Sequence, residues 1–223
     1  MSILKKRSFI LLFLFVGSVL LTGCQGQSST VDEMYTVLEN VVELEQEFEQ
    51  QQDPLVELER EEKEIYSQII TLGMKEFDQI VSLSNEALTI VEKRQEHMQK
   101  EEDSIQASRK EFEKFKPLID ELEDEELKKK ANELNDTMLE RYKTHDGLYK
   151  NYTQGLTFDK ELYQMFQQED LSIDQLEEQI AKINDTYKVV LESNETFNNH
   201  TKKYNETKLQ FYKAAGIEVS DQK

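Results

Sequence analysis

Apolar residues recur at intervals of three and four along most of the chain after residue 30, which is the spacing of one helix face. The most regular stretch is 173–211, where the alternation of threes and fours runs without a slip. Half of this seam is apolar or aromatic throughout, whereas the other half turns polar after Tyr187, at Asn194, Thr201 and Lys208. The pattern predicts a long helix whose buried seam thins toward its C-terminal end, where a helix from a partner could insert.

Capping signals and prolines predict where the helices begin and end. Residues 30–33 (TVDE) and 172–175 (SIDQ) both have the form of a capping box, so each is predicted to begin a helix. Asp53-Pro54 indicates either a new helix or a sharp kink, because Asp suits the N-cap and Pro the first helical position. Pro117 is predicted to end the segment before it.

Glycine positions leave one boundary open. At Gly73 the apolar stripe shifts by about one position, so the helix either turns back there or continues with a stutter in its heptad phase. Gly216 is predicted to end the last helix. With only 7 Gly and 2 Pro in 223 residues, turns are few and the helices must be long. The prediction is an all-α fold: an elongated, antiparallel up-and-down bundle of three to four long helices over residues 31–216, with a short tail at 217–223.

The N-terminal segment has the pattern of a lipoprotein leader. A basic patch at residues 5–7 precedes an apolar run that reaches Leu21 and is short for a membrane span. The sequence LTGC at 21–24 then matches a bacterial lipobox and contains the chain's only cysteine, Cys24. We expect residues 1–23 to be a signal peptide, Cys24 to carry a diacylglycerol anchor, and residues 24–30 to be a polar tether. The protein would be anchored on the outer face of the cytoplasmic membrane without spanning it.

Charge narrows the range of partners. The chain has 46 acidic and 27 basic residues, a formal net charge of −19. Residues 1–23 hold three basic residues and no acidic one, so their removal takes the formal charge to −22. A surface this acidic disfavours nucleic acid, anionic lipid and bare teichoic acid, because all three are polyanions.

The sequence contains few residues in a pattern typical of a catalytic, cofactor or metal site. The three histidines, His97, His145 and His200, lie far apart and none has the spacing of a metal site, so we interpret them as surface residues. No phosphate-binding loop or nucleophile motif occurs, no cofactor other than the lipid is expected, and a narrow bundle should leave little room for a cleft. The sequence therefore predicts a protein that is not an enzyme. Acidic clusters at 101–103 and 123–126 suggest at most weak divalent-cation binding.

Tyrosine is concentrated in the second half of the chain. Most of these rings fall on the buried stripe and are expected to fill the core. Tyr142, Tyr149, Tyr163 and Tyr212 lie beside the stripe, which makes them candidate ligand contacts, since Tyr offers an apolar ring face together with a hydroxyl.

Three stretches resemble one family: the lipobox LTGC, DPLVELEREEKEIYSQI, and LSNEALTIVEKRQEHMQKEEDSIQASRKEFEKF. Together they resemble the cell-wall-binding lipoproteins (YkyA-like) of low-GC Gram-positive bacteria, over essentially the whole chain. The resemblance implies an all-α bundle outside the cytoplasmic membrane, with Cys24 as the one functional position that carries over.

The leading hypothesis is a non-enzymatic surface lipoprotein that binds peptidoglycan or a wall-associated protein. The main alternative is a helical adaptor or chaperone that binds another exported or membrane protein through an exposed seam. A weak divalent-cation binder is a third. The sequence leaves the oligomeric state open.

Overall fold

A computed structural model describes residues 25–72 and 76–217. The predicted signal peptide, Cys24, Gly73 and the end of the tail, 218–223, lie outside the described residues. Over the described part, the chain is almost entirely helical and contains no strand.

Six helices account for this structure. They are α1 (Gln25–Leu44), α2 (Gln46–Thr71), α3 (Phe77–Phe112), α4 (Phe115–Asp120), α5 (Glu125–Met165) and α6 (Ile173–Ala214). Only Glu45 separates α1 from α2, and two residues separate α3 from α4, so the chain forms four long segments packed against one another. The predicted all-α bundle is confirmed.

Pairs of contacting residues show that neighbouring segments run antiparallel. Asn40 donates to Glu111 at 3.1 Å, and farther along the same segment Gln51 is 2.6 Å from the ring of His97. Residue numbers therefore rise on one helix as they fall on the other, and the chain reverses between Thr71 and Phe77. Helices α2 and α3 are therefore separate and antiparallel, which a single helix with a heptad stutter does not allow.

The first helical break lies at Glu45, whereas the sequence predicted it at Asp53-Pro54. The Ser104 hydroxyl donates to the Leu44 carbonyl at 2.6 Å and accepts from the Phe48 amide at 3.1 Å. In an unbroken helix, that carbonyl and that amide would bond each other, so the inserted serine accounts for the interruption. Helix α2 instead continues through Pro54.

Other helix ends follow the sequence more closely. Ser172 and Gln175 form the predicted capping box, and the chain leaves α6 at Gly216, whose φ of +72° suits glycine. The helix that was predicted to end at Pro117 ends five residues earlier, at Phe112. Pro117 itself lies within the first turn of α4, a position that accepts proline. Helix α1 begins at Gln25, so most of the predicted tether is helical; Thr30 is buried and bonds Glu121 near the start of α5.

Two apolar clusters fill the bundle. The first joins α1, α3, α4, α5 and the end of α6, and the second joins α2, α3, α5 and the rest of α6; Phe48 packs against both. Helix α6 packs along α5, and α2 packs along α3, whereas α2 and α6 scarcely touch. Within 25–72 and 76–217, no helix combines the length and the apolar run needed to cross a bilayer.

Candidate ligand-binding groove

A groove of about 730 Å³ opens between α2 and α6, with α3 and α5 forming its floor. Its lining extends along α2 from Phe48 to Tyr66 and along α6 from Ile180 to Thr201, a length of roughly 30 Å at 1.5 Å per residue. The expectation that a narrow bundle leaves little room for a cleft is therefore wrong. Two of the four segments diverge, and the space between them stays open.

The groove is lined mainly by apolar side chains, some of them open to solvent. On α6, Ile180, Ile183 and Tyr187 are only partly buried because no neighbouring helix covers that side of the seam. Val56 on one rim and Leu191 on the other are 65% and 69% exposed. The predicted thinning of the α6 seam is visible here, since Asn194 and Thr201 also line the groove.

A buried arginine organises the polar part of the floor. The Arg94 guanidinium donates to Glu62 at 2.5 Å and to Asp159 at 3.3 Å. It also donates to the hydroxyls of Tyr152 at 2.8 Å and Tyr187 at 2.9 Å, and lies over both rings. Glu59 adds a longer contact to the guanidinium at 3.5 Å. Charge-assisted bonds of this kind are the strong ones, and together they hold five side chains from three other helices around one cation.

The protonation of this network follows from its surroundings. Burial alone would lower the pKa of Arg94, but Tyr152, Tyr187, Glu62 and Asp159 raise it well above its ordinary value, so the guanidinium stays charged. Burial, followed by the neighbouring Glu62, raises the pKa of Asp159 to about 7. The network therefore holds one permanent cation between two carboxyl groups, one of which can take up a proton near neutral pH.

Glu101 is the second buried acid of the floor, and it has no cation of its own. The residue is 3% exposed, and its Oε1 accepts from Gln52 Nε2 at 2.5 Å. Within the described helices, Oε2 has no hydrogen-bond partner and Glu101 forms no ion pair. Burial, followed by the charge of Glu59, raises the pKa of Glu101 to about 8.

Gly155 allows α5 and α6 to approach closely beside this network. A Cβ at Gly155 would lie 3.0 Å from Cζ of Tyr187, tighter than ordinary carbon contacts. The Tyr187 ring therefore occupies the space that a larger residue would fill, and its hydroxyl donates to Asp159 at 2.5 Å. Helix α5 continues through Gly155 and uses it for packing.

The four tyrosines singled out from the sequence are not brought together. Tyr142, Tyr163 and Tyr212 are buried, so their predicted position beside the core is wrong: α5 and α6 bury wider faces than one stripe because each contacts several segments. Tyr163 lines the groove, while the other two lie in the first apolar cluster. Tyr149 is half-buried, lies outside the groove and donates to Gln99 at 2.9 Å.

His145 also differs from its predicted surface position. It is fully buried, with the rings of Phe48 and Phe197 packed at 5.8 and 5.4 Å. Burial, followed by the charge of Arg141, lowers the pKa of His145 to about 4, so the ring is neutral at physiological pH. Across the described helices, no three His, Cys, Asp or Glu side chains are arranged to hold a metal ion.

The residues that shape the floor were missed at the sequence level, although a signal for them exists. Arg94 lies at the correct spacing between Val91 and Met98 on the apolar stripe of α3, and Glu101 follows Met98 by three. A charged residue at a seam position is unusual unless it is paired, so these two positions could have been marked as a buried polar site.

Comparison with known proteins gives concordant results. Residues 29–214 match the model of a family described as "YkyA: Putative cell-wall binding lipoprotein". The chain is 37% identical over 217 residues to the "Uncharacterized lipoprotein YkyA" of Bacillus subtilis (strain 168), covering 97% of each chain. A crystal structure of a conserved Staphylococcus aureus protein of unknown function has the same fold, with a TM-score of 0.67 at 18% identity, covering 86% of this chain and 98% of that one.

Proposed function

This chain belongs to the YkyA family of lipoproteins, and from that membership together with the groove we propose that it is a non-enzymatic receptor for peptidoglycan. The observation that carries the proposal is the groove between α2 and α6, which is about 730 Å³ in volume and open along its length. An open, elongated groove suits a polymer strand, because the strand can enter from the side.

The lining has the chemistry that a sugar–peptide polymer requires. Tyr66 and Tyr187, which are only partly buried, offer ring faces, and Asn184, Asn194 and Asn198 offer amides along the α6 wall. Aromatic faces pack against sugar rings, while amides both donate to and accept from hydroxyl and peptide groups.

Lipid anchoring at Cys24 would set the height of the groove above the membrane. Helix α1 begins at the next residue, and the groove lining starts at Phe48. At 1.5 Å per residue, the groove would begin roughly 35 Å from the anchor and extend to roughly 60 Å. A bundle standing on its anchor would therefore present the groove away from the bilayer, toward the wall.

The non-enzymatic part of the proposal is supported by the two acids that pair most closely with Arg94, because both are already engaged. Glu62 and Asp159 both bond Arg94, and Asp159 also accepts from Tyr187. Glycoside hydrolysis by two carboxyl groups requires one of them to face the scissile bond and the other to face the sugar or a water. Here both face a guanidinium, an arrangement that favours a structural role.

Sedimentation with purified sacculi tests the proposal. The full chain in nanodiscs of zwitterionic lipid would be mixed with sacculi that retain or lack teichoic acids, with empty nanodiscs as the control. We expect the protein to pellet, and to pellet better without teichoic acids, because these polyanions repel an acidic chain. Protein that remains in the supernatant with both preparations would refute wall binding, and soluble muropeptides released during the incubation would refute the non-enzymatic part.

A helical adaptor remains the second candidate, and the exposed Val56 and Leu191 favour it. Apolar rims on both sides of a groove about 30 Å long also suit an amphipathic helix of about 20 residues. Crosslinking in cells through a photoreactive residue at position 191 would distinguish the two. Transfer to one discrete protein band supports the adaptor, whereas transfer to high-molecular-weight wall material supports the receptor.

A further inference from the structure

We propose that the groove binds a protonated amine, with Glu101 as the counter-ion. The neighbouring apolar side chains would pack against the group that carries the amine. This inference rests on the proposed wall binding and names the chemical group by which the wall polymer would be held. Amino groups occur on the peptides of peptidoglycan and on teichoic acids, and the test below separates these two sources.

Charge in the groove is distributed unevenly. Helix α2 contributes Glu49, Glu59, Glu62 and Lys63 to the lining, α3 contributes Arg94 and Glu101, α5 contributes Asp159, and α6 contributes no charged residue. Arg94 is saturated by three acids, Glu59, Glu62 and Asp159, together with two tyrosines, and Lys63 is exposed. Five acidic groups against two cations give the lining a net negative charge on its α2 side, facing an α6 wall without charged residues.

Among the buried acids of the groove, Glu101 is the one that forms no ion pair within the described residues. It lies three residues after Met98 on the same face of α3, and Leu55 and Leu148 line the groove with it from α2 and α5. Its Oε2 has no partner in the described structure, although the residue is 97% buried. A buried carboxyl without a counter-charge is costly to ionise, and a ligand ammonium placed beside it would remove that cost.

Other occupants fit this distribution less well. An anion would meet five carboxyl groups, and a second copy of this chain would bring a net formal charge of −19 against the same charge. A cationic amphipathic helix would complement the acidic side of the groove. Such a helix packs its apolar face into a groove, however, so its charged side chains would point outward, away from a carboxyl buried in the floor. A slender chain that ends in an amine can reach Glu101.

The protonation state of Glu101 predicts that amine binding depends on pH. Burial and then the charge of Glu59 raise the pKa of Glu101 to about 8, so the free protein holds a proton there at pH 7. Binding of an ammonium displaces that proton, so binding should strengthen between pH 6 and pH 9, where an alkyl amine is still charged.

The test uses the full chain in nanodiscs and sacculi stripped of teichoic acid, half of them treated with acetic anhydride to acetylate their amines. Glu101→Gln is compared with Glu96→Gln, an exposed carboxyl on the same helix outside the groove. We expect wild type and Glu96→Gln to bind untreated sacculi alike, Glu101→Gln to bind at least tenfold more weakly, and acetylation to weaken wild-type binding as much. Binding by wild type should rise from pH 6 to pH 9, and that rise should be absent in Glu101→Gln.

The outcomes separate this inference from the function on which it rests. Equal binding to acetylated and untreated sacculi would overturn amine recognition while leaving wall binding intact, and this comparison does not depend on any variant folding. Binding that appears only with teichoic acids present, and is lost when their amino esters are hydrolysed, would support the inference with teichoic acid as the source. Failure of wild type to bind any sacculi while it binds a lysine-rich amphipathic peptide would overturn both proposals in favour of the adaptor.

Discussion

At the scale of single residues, the unusual feature is the set of charges inside the bundle. Arg94 is 3% exposed and is held by three carboxylates and two tyrosines, while Glu101 has only an amide as its partner. Such groups are costly to bury, and hydrophobic replacements of the whole cluster are often neutral or stabilising. Their presence at the floor of the groove is better explained by ligand binding or by specificity of packing than by stability.

Replacing Arg94 by Met should destabilise the protein strongly, because Glu62 and Asp159 would stay buried without their cation. We expect the free energy of unfolding to fall by about 3–5 kcal/mol at pH 8, measured by urea denaturation. At pH 5 the loss should be smaller, since Asp159, with a pKa of about 7, can then be neutral.

Arg60→Met is the matched control for this substitution. Arg60 also pairs with two acids, Glu57 and Glu64, but its side chain is 54% exposed. Exposed ion pairs contribute little, so the urea midpoint should stay unchanged. Equal shifts for Arg60→Met and Arg94→Met would contradict the assignment of Arg94 as a buried anchor.

Glu101 should make the protein less stable as pH rises. Its native pKa of about 8 lies above the ordinary value of 4.5, so the folded state binds the proton more tightly than the unfolded chain. The stabilisation is complete below pH 4.5 and is lost as pH rises to about 8, with a slope of up to about 1.4 kcal/mol per pH unit for one proton. Urea titrations from pH 4.5 to pH 8.5 should show this fall in wild type relative to Glu101→Gln; parallel curves would mean that Glu101 is not perturbed.

At the scale of helices, the sequence predicted which segments are helical better than it predicted where the helices are interrupted. The capping box at Ser172 and the end of α6 at Gly216 could both be predicted, because each depends on residues that are close in sequence. The break at Glu45 was not, because it depends on the Ser104 hydroxyl, which comes from another helix. The break was predicted at Pro54 instead, because a rule based on neighbouring residues takes no account of the tertiary contacts that keep the helix continuous there.

Two glycines of α5 give a direct test of how α5 and α6 pack. Gly155→Ala should push the Tyr187 ring out of position, since its Cβ would lie 3.0 Å from Cζ, and should lower the free energy of unfolding by about 1–3 kcal/mol. Gly147→Ala should instead raise it by up to about 1 kcal/mol, because no atom lies within 4 Å of the new Cβ and alanine favours the helix. Thermal melts of the two variants should therefore shift in opposite directions; a rise for both would show that the close approach at Gly155 is not required.

At the scale of the whole molecule, four long segments produce a groove because α2 and α6 do not close on each other. Heptad patterns predicted an antiparallel bundle of three to four segments, since each pattern lies within one helix, and left the reversal near Gly73 open. They could not predict the groove, because its opening depends on how far apart two helices lie that are distant in sequence. The half-polar seam of α6, with Asn194 and Thr201, was the only sequence sign that one side of the bundle stays uncovered.

The most direct measurement is sacculus sedimentation of the full chain with its groove blocked. Asn194→Trp places a large side chain on the exposed α6 wall of the groove, and Asn199→Trp places the same side chain on the same helix outside it. If the groove is the wall receptor, Asn194→Trp should lose at least tenfold in binding while Asn199→Trp binds like wild type, with both variants melting at the wild-type temperature. Equal binding by all three proteins would contradict the central claim and place any wall contact elsewhere on the bundle.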